Sequence, residues 1–231
     1  MKNSKQIPEF KIRASACFHI MGKKGLGKTG ETYCIDWLKG RLYDRQVEIK
    51  SKYLDKGNIM EDDSLDEVAK KLGIALLMKN TKHYSNEWMR GTPDAVLDFV
   101  IDVKNSWSWT TFPLIETEIP MTYYWQLQTY MALTKKKSAK LVYTLLDTPE
   151  HLIRNEAYWH SRKNGYGELS DEMFDDFKKK MTYGDVPGHL KYKSFDVERN
   201  DFDIALIKER VIECRKVIQN ILAINPNLIR L

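Results

Sequence analysis

Two aspartates and a lysine lie close together in the stretch RGTPDAVLDFVIDVKNS, residues 90–106. Within VIDVK, the two-residue period of a β-strand places Val100, Asp102 and Lys104 on one face. Asp94 lies on the preceding segment, and a short link brings it back beside Asp102. Neighbouring carboxylates repel each other unless a cation lies between them, and oxygen ligands favour Mg²⁺ or Mn²⁺. With Lys104 orienting a water molecule, such a group is suited to metal-assisted hydrolysis of a phosphodiester.

The same residues also have a purely structural interpretation. Asp102 and Lys104 can form an ion pair on the surface of an edge strand, while Asp94 stabilises a turn. The pattern has few fixed residues and a gap of variable length, so it does not by itself separate the two interpretations.

A third acidic residue, Glu61, is expected on the apolar face of a helix that runs from about Asp55 to Leu72. Glu61 precedes Leu65 by four residues and Val68 by seven, which is helical spacing. A carboxylate that points inward needs a partner, and a metal ion is a suitable one. The alternative is an acidic residue in the first turn, stabilised by the helix dipole.

Two uncharged polar residues are predicted to share one face of a helix over residues 123–133. Gln126 and Tyr130 are four residues apart, which places them one turn from each other. In that position they can contact a phosphate or the water molecules around a metal ion. An ordinary half-buried pair of helix residues is the alternative.

The stretch Gly22–Thr29 matches the phosphate-binding loop of P-loop NTPases. A functional loop of this kind follows a buried strand, whereas the preceding SACFHIM is predicted to be a short helix capped by Ser15. Asp102 could supply the second acidic residue that an NTPase needs, but that assignment leaves Asp94 and Glu61 without a role. We therefore interpret the stretch as a lysine-bearing loop before a helix, and keep nucleotide binding as an alternative.

The remaining segments are expected to form the elements that position these residues. Further helices are predicted at 31–46 and 204–221, strands of one sheet at 74–78, 87–97, 99–106 and 139–147, and a loop at 159–170. The apolar stripe of the last helix is expected to pack in the core or against another subunit. Since no linker divides the chain, residues 1–231 are expected to form a single α/β (α+β) domain.

The composition limits the classes of protein to which the chain can belong. With 42% hydrophobic residues, the chain can form a sizeable core, and its net charge of +5 is compatible with a polyanionic partner without requiring one. Its three widely spaced cysteines form no CxxC pair, which argues against a structural zinc site or an iron–sulfur cluster. Because it has neither a signal-peptide pattern nor an apolar span, we expect a soluble, cytoplasmic protein without membrane contact.

Taken in order, these blocks resemble the PD-(D/E)XK nucleases, specifically the viral lambda-exonuclease-like (YqaJ-type) alkaline exonucleases of phage recombination. KIRASACFHIM is similar to the opening Ile-Thr-Ala-Ser helix of that family, and Gly57 with Glu61 resembles its Gly-x-x-x-Glu helix. GTPDAVLDFVIDVKNS is similar to the catalytic hairpin, and YWQLQTYMAL to the glutamine helix. One departure is Asp102, which stands where a glutamate is commoner.

The resemblance implies a restriction-endonuclease-like core, in which a central mixed β-sheet is flanked by helices, and a processive Mg²⁺-dependent exonuclease acting on the ends of linear DNA. It implies two Mg²⁺ ions, for which Mn²⁺ is expected to substitute. The implied metal ligands and catalytic residues are Asp94, Asp102, the carbonyl of Val103, Glu61 for the second metal, Lys104 for the nucleophilic water, and Gln126 and Tyr130 as organising groups. The implied contacts to DNA or its phosphates are Arg13, Ser15, Lys28 and Gln128.

Partners follow from the resemblance as well. It implies linear duplex DNA ends, a trimeric ring that encircles DNA, and a single-strand annealing protein. A DNA-binding module without catalysis is the remaining alternative, suggested by the lysine tracts 135–137 and 178–180. Trp107 and Trp109 are expected to share a strand face, where they either stack on bases or close a core.

Overall fold

The structure, a computed structural model, describes residues 7–45 and 51–229. Over these ranges, helices and short strands alternate, so the α/β class predicted from the sequence is correct. The helices are α1 (Gly27–Tyr43), α2 (Lys52–Ile59), α3 (Glu61–Leu72), α4 (Met121–Thr134), α5 (Glu150–Lys163), α6 (Asp171–Met181) and α7 (Asp201–Ile224). The strands are β1 (Ile12–Arg13), β2 (Tyr84–Ser85), β3 (Met89–Gly91), β4 (Ala95–Val96), β5 (Val100–Asn105), β6 (Ser138–Thr144) and β7 (Tyr192–Glu198).

The described strands form two sheets rather than the single predicted one. The larger sheet has the order β4-β5-β6-β7 and is mixed, because β5 and β6 are parallel while the outer pairs are antiparallel. The smaller sheet has the order β1-β3-β2. The chain passes from one sheet to the other at residues 92–94, where Pro93 has no N–H to donate to a strand ladder.

Helix α4 crosses from β5 to β6 and is buried along most of its length. Residues 125–131 are all buried, so the helix packs on both sides, as expected of a helix that lacks a polar face. Leu127 and Met131 pack with Val100 and Leu141 of the larger sheet. Ile101, on the opposite face of that sheet, packs against α3. Strand β5 therefore lies between two layers of helices.

The C-terminal helix α7 completes a second core beside the smaller sheet. Its stripe, which includes Ile207, Val211 and Cys214, packs with Cys34 of α1 and Cys17 of the short 3₁₀ helix Ala14–Ile20. The core interpretation of this stripe is therefore correct. All three cysteines are buried and free.

Several predicted boundaries were wrong for local reasons. The helix predicted from Asp55 is two helices joined at Met60, and residues 74–78 form no strand. Helix α5 extends through residue 163 into the predicted loop. Ser170 then caps the unpredicted α6 by accepting a hydrogen bond from the Met173 N–H. The helix predicted at 31–46 begins earlier, at Gly27, and its last predicted residue lies outside the described part of the chain.

None of the helices in the described ranges combines the length and apolar composition needed to cross a bilayer.

A buried lysine on α2 ties this helix to the ends of the two central strands. The Lys56 side chain is fully buried, and its ammonium donates to the carbonyl oxygens of Ser106, Trp107 and Leu146 at 2.9, 3.2 and 2.8 Å. Burial lowers the pKa of Lys56 to about 8, while the charge of Asp147 opposes the shift. The three carbonyls supply the polar partners that a buried ammonium requires.

Lys56→Met is expected to lower the free energy of unfolding by about 2–4 kcal/mol, because it leaves buried carbonyl groups without their donor. Urea unfolding followed by circular dichroism measures this loss. Lys52→Met, on the same helix, removes a partly exposed ion pair with Glu156 and should cost no more than about 1 kcal/mol. Equal losses in the two variants would contradict a special role for Lys56.

Candidate active site

Strand β5 presents Asp102 and Lys104 toward α4, as the two-residue period predicts. Asp102 is only 1% exposed, and its Oδ1 accepts a hydrogen bond of 2.9 Å from Gln126 Nε2. Lys104 Nζ lies 2.7 Å from Asp102 Oδ2. Because β5 lies between β4 and β6, the alternative of a surface ion pair on an edge strand is wrong.

Asp94 lies directly beside this pair. Its Oδ2 accepts a 2.6 Å hydrogen bond from the backbone N–H of Val103. Since Val103 is the residue between Asp102 and Lys104 on β5, this hydrogen bond holds the Asp94 side chain close to both. Burial is the main effect that raises the pKa of Asp94 to about 7, and the negative charge of Asp102 raises it further. The positive charge of Lys104 opposes both effects. The predicted return of Asp94 to Asp102 is therefore correct, whereas the carbonyl of Val103 as a metal ligand stays a prediction.

Lys104 is held in its charged form. Burial lowers the pKa of Lys104, but the carboxylates of Asp102 and Asp94 outweigh that effect and hold the pKa above its ordinary value. The ammonium also lies 5.1 Å from the centre of the Tyr123 ring, a cation–π distance. At neutral pH, Lys104 is therefore a hydrogen-bond donor and a positive charge rather than a general base.

Glu61 is the first residue of α3. Its negative charge is the weakest of the effects that raise the pKa of Asp94. The Glu61 side chain is 28% exposed, and its Oε2 lies 2.8 Å from Lys79 Nζ. The helix-dipole explanation also applies, because Glu61 stands in the first turn.

Gln126 and Tyr130 of α4 connect Asp102 to Thr92, in the segment between the two sheets. Gln126 Nε2 also donates to the Tyr130 hydroxyl at 3.1 Å, and that hydroxyl donates to the Thr92 carbonyl at 3.1 Å. Burial and the charge of Asp102 raise the pKa of Tyr130, so the phenol remains protonated. A Cβ on Gly91 would lie 2.7 Å from the Tyr130 ring, so this close approach requires glycine.

The four predicted DNA contacts have different outcomes. Arg13 and Lys28 are exposed, so their contact with phosphate stays a prediction. Ser15 is also exposed, but it lies inside the 3₁₀ helix and does not cap it, since Arg13 is the residue before the first turn. Gln128 is fully buried: its Nε2 donates to the Glu198 carbonyl and its Oε1 accepts from the Asn200 N–H. The assignment of Gln128 to DNA was therefore wrong, because its amide joins α4 to the turn before α7.

The glycine-rich stretch lacks the context of a P-loop. It follows the 3₁₀ helix rather than a strand, and both Lys28 and Thr29 are exposed. Gly25 and Gly27 have φ values of 115° and 59°, where glycine is favoured. A Cβ on Gly22 would clash with the carbonyl oxygen of Gly25. The backbone turn therefore accounts for the glycines.

The two tryptophans after β5 have different environments. Trp107 is 8% exposed and packs with residues of α5 and α6, including Leu152 and Phe174, so the core interpretation is correct for it. Trp109 is 64% exposed, in the 3₁₀ turn Trp109–Thr111. The chain leaves the strand conformation after Asn105, which is why the two rings do not share a strand face.

The donor set fits a divalent cation of the Mg²⁺ type. Asp102 Oδ2 is buried and contacts the Lys104 ammonium at 2.7 Å, so a cation at this oxygen would share it with Lys104. Asp94 and Glu61 supply further carboxylate oxygens, the ligand type that Mg²⁺ and Mn²⁺ prefer. Within the described ranges, no three acidic, histidine or cysteine residues are arranged to hold one ion together, so Asp94 and Asp102 would need backbone or water oxygens to complete a site.

The raised pKa of Asp94 predicts how pH affects the metal-free fold. Between the ordinary carboxyl value of 3.8 and about 7, the folded state binds a proton that the unfolded state has released, so stability falls as pH rises through that window. In EDTA, Asp94→Asn should therefore reduce the loss of unfolding free energy between pH 5 and pH 8 by about 2–3 kcal/mol. Urea unfolding at both pH values measures it. Identical pH dependence in wild type and variant would contradict the charge cluster.

Comparisons with known proteins place this geometry in context. A scan against models of known protein families gives no match, and a comparison with curated proteins gives none either. Several solved structures match, and two of them illustrate the likeness over nearly the whole chain. A phage-related exonuclease from Haemophilus somnus 129PT is 22% identical, with 94% of this chain and 96% of that chain covered and a TM-score of 0.75. The alkaline exonuclease LHK-Exo from Laribacter hongkongensis is 21% identical, with 94% of each chain covered and a TM-score of 0.62. The chain therefore has the fold of these phage-related and alkaline exonucleases, as the sequence resemblance predicted.

Proposed function

We propose that the protein is a Mg²⁺-dependent exodeoxyribonuclease that hydrolyses phosphodiester bonds at the ends of linear DNA. The observation that carries the proposal is the convergence of Asp94, Asp102 and Lys104, with an ammonium 2.7 Å from a buried carboxylate. The shared fold supports it, since both solved structures are exonucleases. LHK-Exo has also been solved in complex with dAMP, which supports a nucleotide ligand for this fold.

In the proposed reaction, each side chain has a role that follows from its contacts. Asp94 and Asp102 would hold one ion together with the carbonyl of Val103, and Glu61 would hold a second. Bound Mg²⁺ ions activate water and stabilise negative charge on the phosphate. Gln126 orients Asp102 through its 2.9 Å hydrogen bond.

Lys104 would donate to the attacking water or to a phosphate oxygen, because its ammonium is charged and partly accessible. Its side chain is 27% exposed, so a substrate can approach it from solvent. Tyr130 keeps Gln126 in place because its hydroxyl accepts a hydrogen bond from the Gln126 amide N–H. We further propose duplex ends as the substrate, a trimeric ring as the assembly and a single-strand annealing protein as a partner, all of which rest on the sequence resemblance.

A time course on two DNA substrates tests the proposal. We expect end-labelled linear duplex to be degraded in Mg²⁺ or Mn²⁺ and to remain intact in EDTA, while a covalently closed circle remains intact throughout. Cutting of the circle at a similar rate would make the protein an endonuclease. Binding of DNA without cleavage of either substrate would favour the non-catalytic module.

A further inference from the structure

A second lysine, Lys79, contacts the site and was not identified from the sequence. Its Nζ lies 2.8 Å from Glu61 Oε2 and 3.7 Å from Asp62 Oδ1. Its side chain is 42% exposed, so the ammonium also faces solvent, where a substrate would approach. Lys79 is thus paired with the carboxylate proposed for the second ion, just as Lys104 is paired with Asp102.

The backbone beside Lys79 is fixed to the hairpin that carries Asp94. The Asn80 N–H donates to the Asp94 carbonyl at 2.7 Å, and Asn80 Nδ2 donates to the Pro93 carbonyl at 2.9 Å. The Lys82 N–H donates back to Asn80 Oδ1, which closes the turn. Although this segment has no regular secondary structure, its hydrogen bonds hold Lys79 at the site.

The charges of the site explain what Lys79 does when a cation arrives. In the metal-free protein, the two ammonium groups of Lys79 and Lys104 offset the carboxylates of Glu61, Asp94 and Asp102. A divalent cation bound at Glu61 would offset the same carboxylate, so the Lys79 ammonium would keep only its longer contact of 3.7 Å with the exposed Asp62. Because such an exposed pair is weak, the ammonium is then available to contact a phosphate.

We propose that Lys79 is a DNA-phosphate-binding residue that is released for this contact when a divalent cation binds at Glu61. The inference rests on the proposed function, because it assigns Glu61 to a metal ion and DNA to the site. Lys79 thereby links metal loading to DNA binding: the metal-free protein keeps the ammonium on Glu61, and the loaded protein directs it to the DNA backbone.

The salt dependence of DNA binding tests this link without relying on catalysis. Binding of a labelled duplex end is measured by fluorescence anisotropy over a range of salt concentrations, in Ca²⁺ and in EDTA. In Ca²⁺, the slope of log K against log salt should be shallower in Lys79→Met than in wild type by about 0.9, which corresponds to one phosphate contact. In EDTA, the two slopes should be equal, because Lys79 is then engaged by Glu61.

A substitution at Glu61 sharpens the test. In a Glu61→Gln background, Lys79 has lost its main partner, so adding Lys79→Met should reduce the slope by about 0.9 even in EDTA. Lys82→Met is the matched control, since Lys82 is exposed on the same turn and lies 5.0 Å from the Tyr84 ring rather than near the carboxylates. Its effect on the slope should be the same in Ca²⁺ and in EDTA.

Two results would overturn the inference. A slope that is unchanged by Lys79→Met in Ca²⁺ would show that Lys79 only forms a surface ion pair. An equal change in Ca²⁺ and EDTA would show that Lys79 binds DNA independently of the metal. Wild-type activity in the linear-duplex assay is measured in parallel, so that failure of the proposed function is recognised separately from failure of the Lys79 link.

Discussion

Asp102→Asn is expected to lower the rate of linear-duplex degradation by about a thousandfold, which corresponds to about 4 kcal/mol of lost transition-state stabilisation. The substitution keeps the size of the side chain, and an amide oxygen can still accept the hydrogen bond from Gln126. It removes the negative charge and one of the two oxygens at the centre of the site. A gel time course with end-labelled DNA under single-turnover conditions measures the rate.

Asp98→Asn is the matched control for this prediction. Asp98 is exposed on the link between β4 and β5, four residues before Asp102, and the variant should retain activity within about twofold, as expected of a surface substitution. Circular dichroism should show the same folded spectrum for both variants. A folded Asp102→Asn protein with more than a tenth of wild-type activity would remove Asp102 from the proposed metal site.

Lys104→Met is expected to reduce the same rate by about 10²–10⁴-fold, the range for loss of a positioned catalytic donor or acid. The apolar side chain keeps most of the volume against Tyr123 but cannot donate to a water molecule or a phosphate. Removing the ammonium also makes the Asp94 and Asp102 pair more negative, which should not weaken Mg²⁺ binding, so added Mg²⁺ should not restore the wild-type rate.

Lys140→Met, on the neighbouring strand β6, provides the comparison. Lys140 is paired with Asp196 on the sheet surface and stands opposite Ile101 in the parallel ladder, so its loss should change the rate by less than about threefold. Full activity of a folded Lys104→Met protein would contradict the role of Lys104. A rate restored by Lys104→Arg would show that positive charge suffices, while continued loss would show that the ammonium geometry matters.

The spacing of the proposed catalytic residues was predictable from the sequence because it depends on local geometry. A strand places every second residue on the same face, so Asp102 and Lys104 had to be neighbours once β5 formed. A helix places residues four apart on one face, so Gln126 and Tyr130 had to be adjacent once α4 formed. The structure confirms both pairs through direct contacts.

Burial was not predictable in the same way, because it depends on which elements pack against each other. Gln128 is two residues from Gln126 on the same helix, but it faces β7 and the start of α7, whose contacts come from residues 70 and 72 positions away. Trp107 and Trp109 likewise differ only because the chain leaves the strand after Asn105. Neither distinction is encoded in a short repeating pattern.

Lys79 shows the same division most clearly. The sequence around it has no strand or helix period, and Glu61, which it contacts, lies 18 positions earlier in the chain. Lys79 is held near Glu61 because the neighbouring Asn80 forms hydrogen bonds to the hairpin that carries Asp94. The sequence by itself determined which side chains within one element are neighbours, because this depends only on the period of that element. Only the tertiary structure decided that β5 is a central strand, which amide faces Asp102 and which second lysine meets Glu61, because these depend on contacts between elements far apart in the chain.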